Sequence, residues 1–176
     1  MVFRKRNGKI YVSIKPEHDE TFEPSEAQLT CRQNFKQARE YTRAALADET
    51  LRAFYERLAQ GKATTPHGVC MGDYLNPPTV EELDLYHYHG RVGDRIRITT
   101  QDDVGVVTVD VTLTAIDGTI IEKGQAVEPW PGSGQWEYVA TVPVSPGTQV
   151  FVDAQASDRP GHRAVASANS MVAAKD

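Results

Sequence analysis

The chain has 176 residues, a formal net charge of −5 at pH 7, and a composition that is 40% hydrophobic and 24% charged. Such a chain can bury a real core without disulfides or a metal, and no apolar run approaches the ~20 residues of a membrane-spanning helix. Residues 1–75 carry 12 Lys and Arg against 10 Asp and Glu, and residues 76–176 carry 7 against 14, so the second half is acidic and unsuited to a phosphate backbone.

In chain order, Val2 to Arg6 and Lys9 to Lys15 flank Asn7-Gly8, a dipeptide that favours the type I′ turn of a two-residue hairpin. Phe3, Ile10, Val12 and Ile14 form an apolar face alternating with charge. An isolated two-stranded hairpin is marginal in water, so this one is expected to dock on something. The N-terminus is basic at Arg4, Lys5, Arg6 and Lys9 but has no apolar stretch behind it. It does not read as a signal peptide. The expected location is the cytoplasm, or outside by a signal-independent route, unless a leader was already removed.

Pro16 to Pro24 reads as an extended connector. Ser25 is an N-cap candidate with Glu26 in the first turn, and Cys31, Phe35, Ala38, Tyr41, Ala45 and Leu46 recur at helical spacing from Ala27 to Ala47. Asp48 opens a second helix with Leu51, Phe54, Tyr55 and Leu58 on one face and Gly61 as a stop. A third helix starts at Thr65-Pro66 and runs to Leu75. Asn76-Pro77-Pro78 breaks it and stiffens the join, with Tyr74 and Leu75 expected against the first strand that follows. Cys31 and Cys70 match no zinc or redox spacing. They read either as small apolar side chains or as a disulfide tying two helical segments.

Seven strands follow: Val80 to Tyr86, Arg95 to Gln101, Val106 to Ala115, Thr119 to Ala126, Gln135 to Val142, Thr148 to Ser157 and Arg163 to Val172. Period-two alternation is clearest in Val107-Val109-Val111-Leu113 and Val150-Val152-Ala154-Ala156. Asp117-Gly118 is a hairpin turn, and Gly or Pro punctuates the other connections. The expected fold is therefore α+β: an N-terminal hairpin with its connector (1–24), a small helical unit (25–78) and an immunoglobulin-like antiparallel β-sandwich (79–176).

Gly93-Asp94-Arg95-Ile96-Arg97-Ile98, Asp102-Asp103-x-Gly105-Val106, Asp117-Gly118 and Ala156-Ser157-Asp158-x-x-Gly161 together resemble bacterial immunoglobulin-like domains over residues 79–172. With its helical front, the whole pattern is similar to uncharacterised bacterial proteins. That family includes adhesins, surface-layer spacers, carbohydrate-binding accessories and phage virion decorations, so the resemblance implies a fold and no single role. The antibody-type Cys…Trp…Cys arrangement is missing.

Asp102, Asp103 and Asp158 fall on loops that meet at one end of such a sandwich, near Asn76 and Glu81. They read as turn caps bonding their own backbone, as calcium ligands, or as a polar contact to the helical unit. His87 and His89 share a face if their segment is a strand, but no further ligand accompanies them. Trp136 reads as core, whereas Trp130, between Pro129 and Pro131, reads as a surface anchor for a sugar ring or a partner.

No Gly-x-Ser-x-Gly, phosphate loop, His-Glu-x-x-His or Cys-x-x-Cys motif appears, and no catalytic residue is expected. The sequence thus points to a non-enzymatic structural protein. It is read as a self-assembling subunit of a filament, surface or virion-like assembly, forming a homo-oligomer or polymer through strand addition by the hairpin residues Phe3, Ile10 and Val12. No cofactor is expected unless calcium sits at the aspartates. Carbohydrate or cell-surface ligand binding through Trp130 is the alternative, and nucleic-acid association through the basic N-terminus a further one.

Overall fold

The computed structural model describes residues 1–6, 8–14 and 23–173. Asn7 of the expected turn and most of the expected Pro16–Pro24 connector lie outside the described residues. Among the described residues the chain is α+β, with an N-terminal hairpin, three helices and an antiparallel β-sandwich. It divides into two compact units, Met1–Gln33 and Asn34–Asp176.

The first unit holds β1 (Val2–Arg6), β2 (Lys9–Ser13) and the start of α1 (Glu26–Ala47). β1 and β2 pair antiparallel with Phe3 opposite Val12, Arg4 opposite Tyr11 and Lys5 opposite Ile10. Gly8 takes φ +78°, as the turn demands. At the start of α1, Ser25 Oγ accepts from the Gln28 amide while Gln28 Oε1 accepts from the Ser25 amide. This reciprocal pair satisfies two donors that the first helical turn leaves free.

The second unit begins within α1 and adds α2 (Glu49–Ala59) and α3 (Pro66–Leu75). Asp48 Oδ1 accepts from the Leu51 amide at 2.9 Å, and Thr65 Oγ1 accepts from the Gly68 amide at 3.1 Å ahead of Pro66. These caps are why both helices begin where the sequence places them. Ala45, Tyr55 and Cys70 form the buried helical core, packed by Tyr41, Leu51, Phe54 and Leu58.

The sandwich comprises β3 (Thr79–Asp84), β4 (Arg95–Gln101), β5 (Thr108–Ala115), β6 (Ile120–Gln125), β7 (Gln135–Val139), β8 (Gln149–Ser157) and β9 (Arg163–Met171). One sheet has the order β3-β4-β7 and the other β6-β5-β8-β9. Val109, Val111 and Leu113 of β5 and Val150, Val152 and Ala154 of β8 point inward and are fully buried, so period-two alternation sets which face is core. Trp136 joins this core and satisfies its indole N–H on Thr100 Oγ1 at 3.0 Å. β7 stops at Val139, short of the expected Val142.

A second buried polar group anchors β6. Glu122 Oε2 accepts from the Tyr138 hydroxyl (3.0 Å), the Thr141 amide (2.9 Å) and the Thr141 hydroxyl (2.7 Å). Burial, reinforced by Glu122, pushes the Tyr138 phenol up to about 12. Among the described residues, no helix is long and apolar enough to cross a membrane.

Candidate functional site

The β4–β5 and β8–β9 loops meet the helices at one end of the sandwich, and each loop is folded around an aspartate. Asp102 Oδ1 accepts from the amides of Val104 (2.8 Å) and Gly105 (2.6 Å). Asp158 Oδ1 accepts from the amides of Gly161 (2.8 Å) and His162 (2.6 Å), and its Oδ2 lies 2.8 Å from His162 Nδ1. Asp103 reaches across the join, where its Oδ2 accepts from Asn76 Nδ2 at 2.6 Å.

These contacts bear on the calcium reading. Calcium needs six to eight oxygens presented to one point. Here Asp102 Oδ1 and both Asp158 oxygens are engaged by N–H groups or the His162 ring, whose positive ends compete with a cation. Among the described residues, no three His, Cys, Asp or Glu side chains are grouped to hold a metal ion. His87 and His89 are exposed in turns beyond β3. Cys31 is exposed and Cys70 buried, both as free thiols, and burial raises the Cys70 pKa.

The same loops seat the helices. Val104 packs into the helical core. The Arg159 guanidinium sits 4.1 Å from the Phe54 ring centroid. Tyr74 places its ring 5.3 Å from Tyr41 and 4.8 Å, edge-on, from His162.

Behind this seam lies a group that motif reading missed. Asp73, on α3, is 1% exposed. Tyr55 of α2 donates its hydroxyl to Asp73 Oδ2, and Tyr41 of α1 lies within hydrogen-bond reach of the Tyr55 oxygen at 3.0 Å. With the Tyr55 proton committed to the carboxylate, Tyr41 is the donor of that second bond. Burial pushes the Asp73 pKa up to about 6; Asp102 and Asp158 add to the rise, while the Tyr55 bond and Arg159 oppose it. Burial likewise raises both tyrosines. Asp73 Oδ1 and Asp102 Oδ2 are buried with no hydrogen-bond partner among the described residues. The available signal was a lone carboxylate three residues after Cys70 on a short helix with no other acidic residue.

A cleft of about 600 Å³ opens at this end, lined among others by Phe54, Asp102, Val106, Glu128, Pro131 and Arg159. One wall is the β6–β7 loop, which its own side chains make rigid. Glu128 accepts from the amides of Gly132 (3.0 Å) and Gly134 (2.9 Å), and Gly134 O accepts from the Thr100 amide at 2.8 Å. Trp130 stands on this loop with 71% of its surface exposed. The arrangement offers an aromatic plate and a polar recess.

The hairpin carries the other sequence-predicted residues. Its register puts Phe3, Ile10 and Val12 on one face together with Lys5, and Arg4, Lys9 and Tyr11 on the other. Phe3 is 69%, Ile10 70% and Val12 55% exposed.

No protein-family model matches the sequence, and no curated protein matches it. Among solved structures, the chain is similar to CopC from Methylosinus trichosporium OB3b, at 10% identity and a TM-score of 0.40 over 52% of this chain and 89% of that one. A tetra-tandem repeat in the extending region of a large adhesion protein gives 24% identity and a TM-score of 0.40, over 54% of this chain and 24% of that one. A conjugative transposon lipoprotein from Bacteroides eggerthii DSM 20697 gives 12% identity and a TM-score of 0.29, over 53% and 95%. At such scores these likenesses carry no argument about what this chain does.

Proposed function

We propose that this chain is a non-enzymatic structural subunit, built on an immunoglobulin-like sandwich, whose terminal hairpin docks on another copy of the chain. One observation carries the reading: β1 and β2 present Phe3, Ile10 and Val12 to solvent on one face of a two-stranded sheet. A two-stranded hairpin has too few contacts to hold itself in water, and a third strand or a packed face supplies what it lacks. Two packed sheets with strands one, two and five in one and four, three, six and seven in the other support the immunoglobulin-like assignment.

The deciding measurement is the solution mass of the full chain against a variant lacking residues 1–14. The full chain should run well above 19.5 kDa, and the shortened chain at the monomer mass with its sandwich folded. Equal masses would refute the proposal.

A second reading rests on Trp130. An exposed indole on a loop held by Glu128 is pre-organised to stack on a sugar ring at small entropic cost. Glycan binding that disappears in Trp130→Ala, with the solution mass unchanged, would favour it.

A further inference from the structure

Four strand edges end the two sheets, and three of them are guarded. β3 is six residues long, has a register break between Val80 and Glu82, and carries Glu81, Glu82 and Asp84. β7 is five residues long, and its outer side is taken by Val127, which exchanges both backbone bonds with Glu137 at 2.9 Å. β6 has Lys123 and the inward-pointing Glu122, and its ladder with β5 is broken between Leu113 and Thr114. Short length, charge, bulges and covering segments are the ordinary means of keeping an edge from pairing with another chain.

β9 lacks the first three of these, although β3 of the other sheet runs close beside it without a ladder bond. β9 is nine residues long, pairs with β8 without a register break, contains no proline, and is charged only at Arg163. About half of an edge strand's amides and carbonyls face away from its one partner. On its inner side, Ala164, Ala166 and Ala168 are small and only half-buried, which leaves the core thin at this edge.

We infer that the β9 edge of one copy receives the hairpin of another, extending the four-stranded sheet; this rests on the assembly reading above. The two surfaces match in pattern. A strand added beside β9 must place one face toward the core side and the other toward solvent. The hairpin has one face with Phe3, Ile10 and Val12 beside a single cation, Lys5, and one with Arg4, Lys9 and Tyr11. Its apolar face completes the core beside the alanines. Its basic face then lies along the solvent side of the sheet, which carries Asp110, Asp153, Lys123 and Arg163, with Ser167 of β9 donating to Asp153. The opposite orientation would bury Arg4 and Lys9, so the alternation also selects the side.

The test uses the full chain and two independent readouts. Val165 and Asn169 are exposed on the outer side of β9, so Val165→Lys and Asn169→Lys, made singly and together, add like charge along the hairpin's path without touching the core. The expected result is a fall to the monomer mass with an unchanged melting temperature. In the unaltered chain, amide hydrogen exchange compared at high and low protein concentration should show new protection in β9 and the hairpin, and none in β3, β6 or β7. If the chain assembles and loses assembly on deletion of residues 1–14, yet both lysine variants retain it or the new protection falls on another edge, the β9 assignment is wrong and the hairpin reading stands. A monomeric full chain at all concentrations overturns both.

Discussion

Tyr55 on α2 and Asp73 on α3 share a hydrogen bond at the centre of the helical core, and Asp73 has a second oxygen with no partner among the described residues. A carboxylate so placed is held at a cost unless it is protonated. The arrangement therefore links the packing of the helices to pH.

The sign follows from the shift. Asp73 moves from 3.8 to about 6, so between those values the folded state holds a proton that the unfolded chain has released. Its stabilising contribution is complete below pH 3.8, falls as pH rises through the window and is gone by about 6. The difference amounts to roughly 3 kcal/mol as an upper-end figure. Asp73→Asn should abolish this component and be the more stable protein at pH 7. Denaturant unfolding of both proteins at pH 4, 5, 6 and 7 checks it; parallel curves would reject the assignment.

Removing the other partner has the opposite sign. Tyr55→Phe leaves both Asp73 oxygens unpaired and should cost about 1–3 kcal/mol at pH 7, with a smaller loss at pH 4. Thermal melts at the two values separate the polar effect from lost packing, because a packing loss would be the same at both.

Gly134 has φ +70°, and a Cβ there would stand 2.4 Å from Thr100 O. Gly134→Ala should therefore destabilise by about 2 kcal/mol or more. Trp130→Ala, a few residues away and exposed, should change stability by less than about 0.5 kcal/mol. Equal effects in the two melts would mean that the β6–β7 loop is not held as described.

In β6, Glu122→Ala would strip the Tyr138 hydroxyl and the Thr141 amide and hydroxyl of their shared acceptor. A loss of about 2–4 kcal/mol is expected. Glu122→Gln, which keeps one acceptor oxygen, should recover a good part of it.

The elements were legible where local chemistry sets them. Asp48, Thr65-Pro66 and Asp117-Gly118 declared helix starts and a turn because a cap or a positive φ involves neighbours in sequence. The inward faces of β5 and β8 were legible because alternation is a property of one strand. Partners distant in sequence were not. Asp73 meets Tyr55 and sits near Asp102 and Asp158 only after the loops fold back, and Tyr74 meets His162 from 88 residues away in the chain. Nothing in the order of residues announced that Glu122 would be buried, since the donors it accepts from, on Tyr138 and Thr141, lie beyond the β6–β7 loop.

The seating of the helices also has a consequence for the order of folding. α2 and α3 are closed by contacts between near neighbours in the chain, and such structure forms quickly. Val104 and Arg159, which receive them, flank the two strands whose pairing sets Thr108 against Ser157. That pairing must close a long loop before it gains a single ladder bond, so it comes late. The helical core should therefore exist for a time with Phe54 uncovered. During synthesis, it would wait for nearly the whole chain before its docking surface arrives.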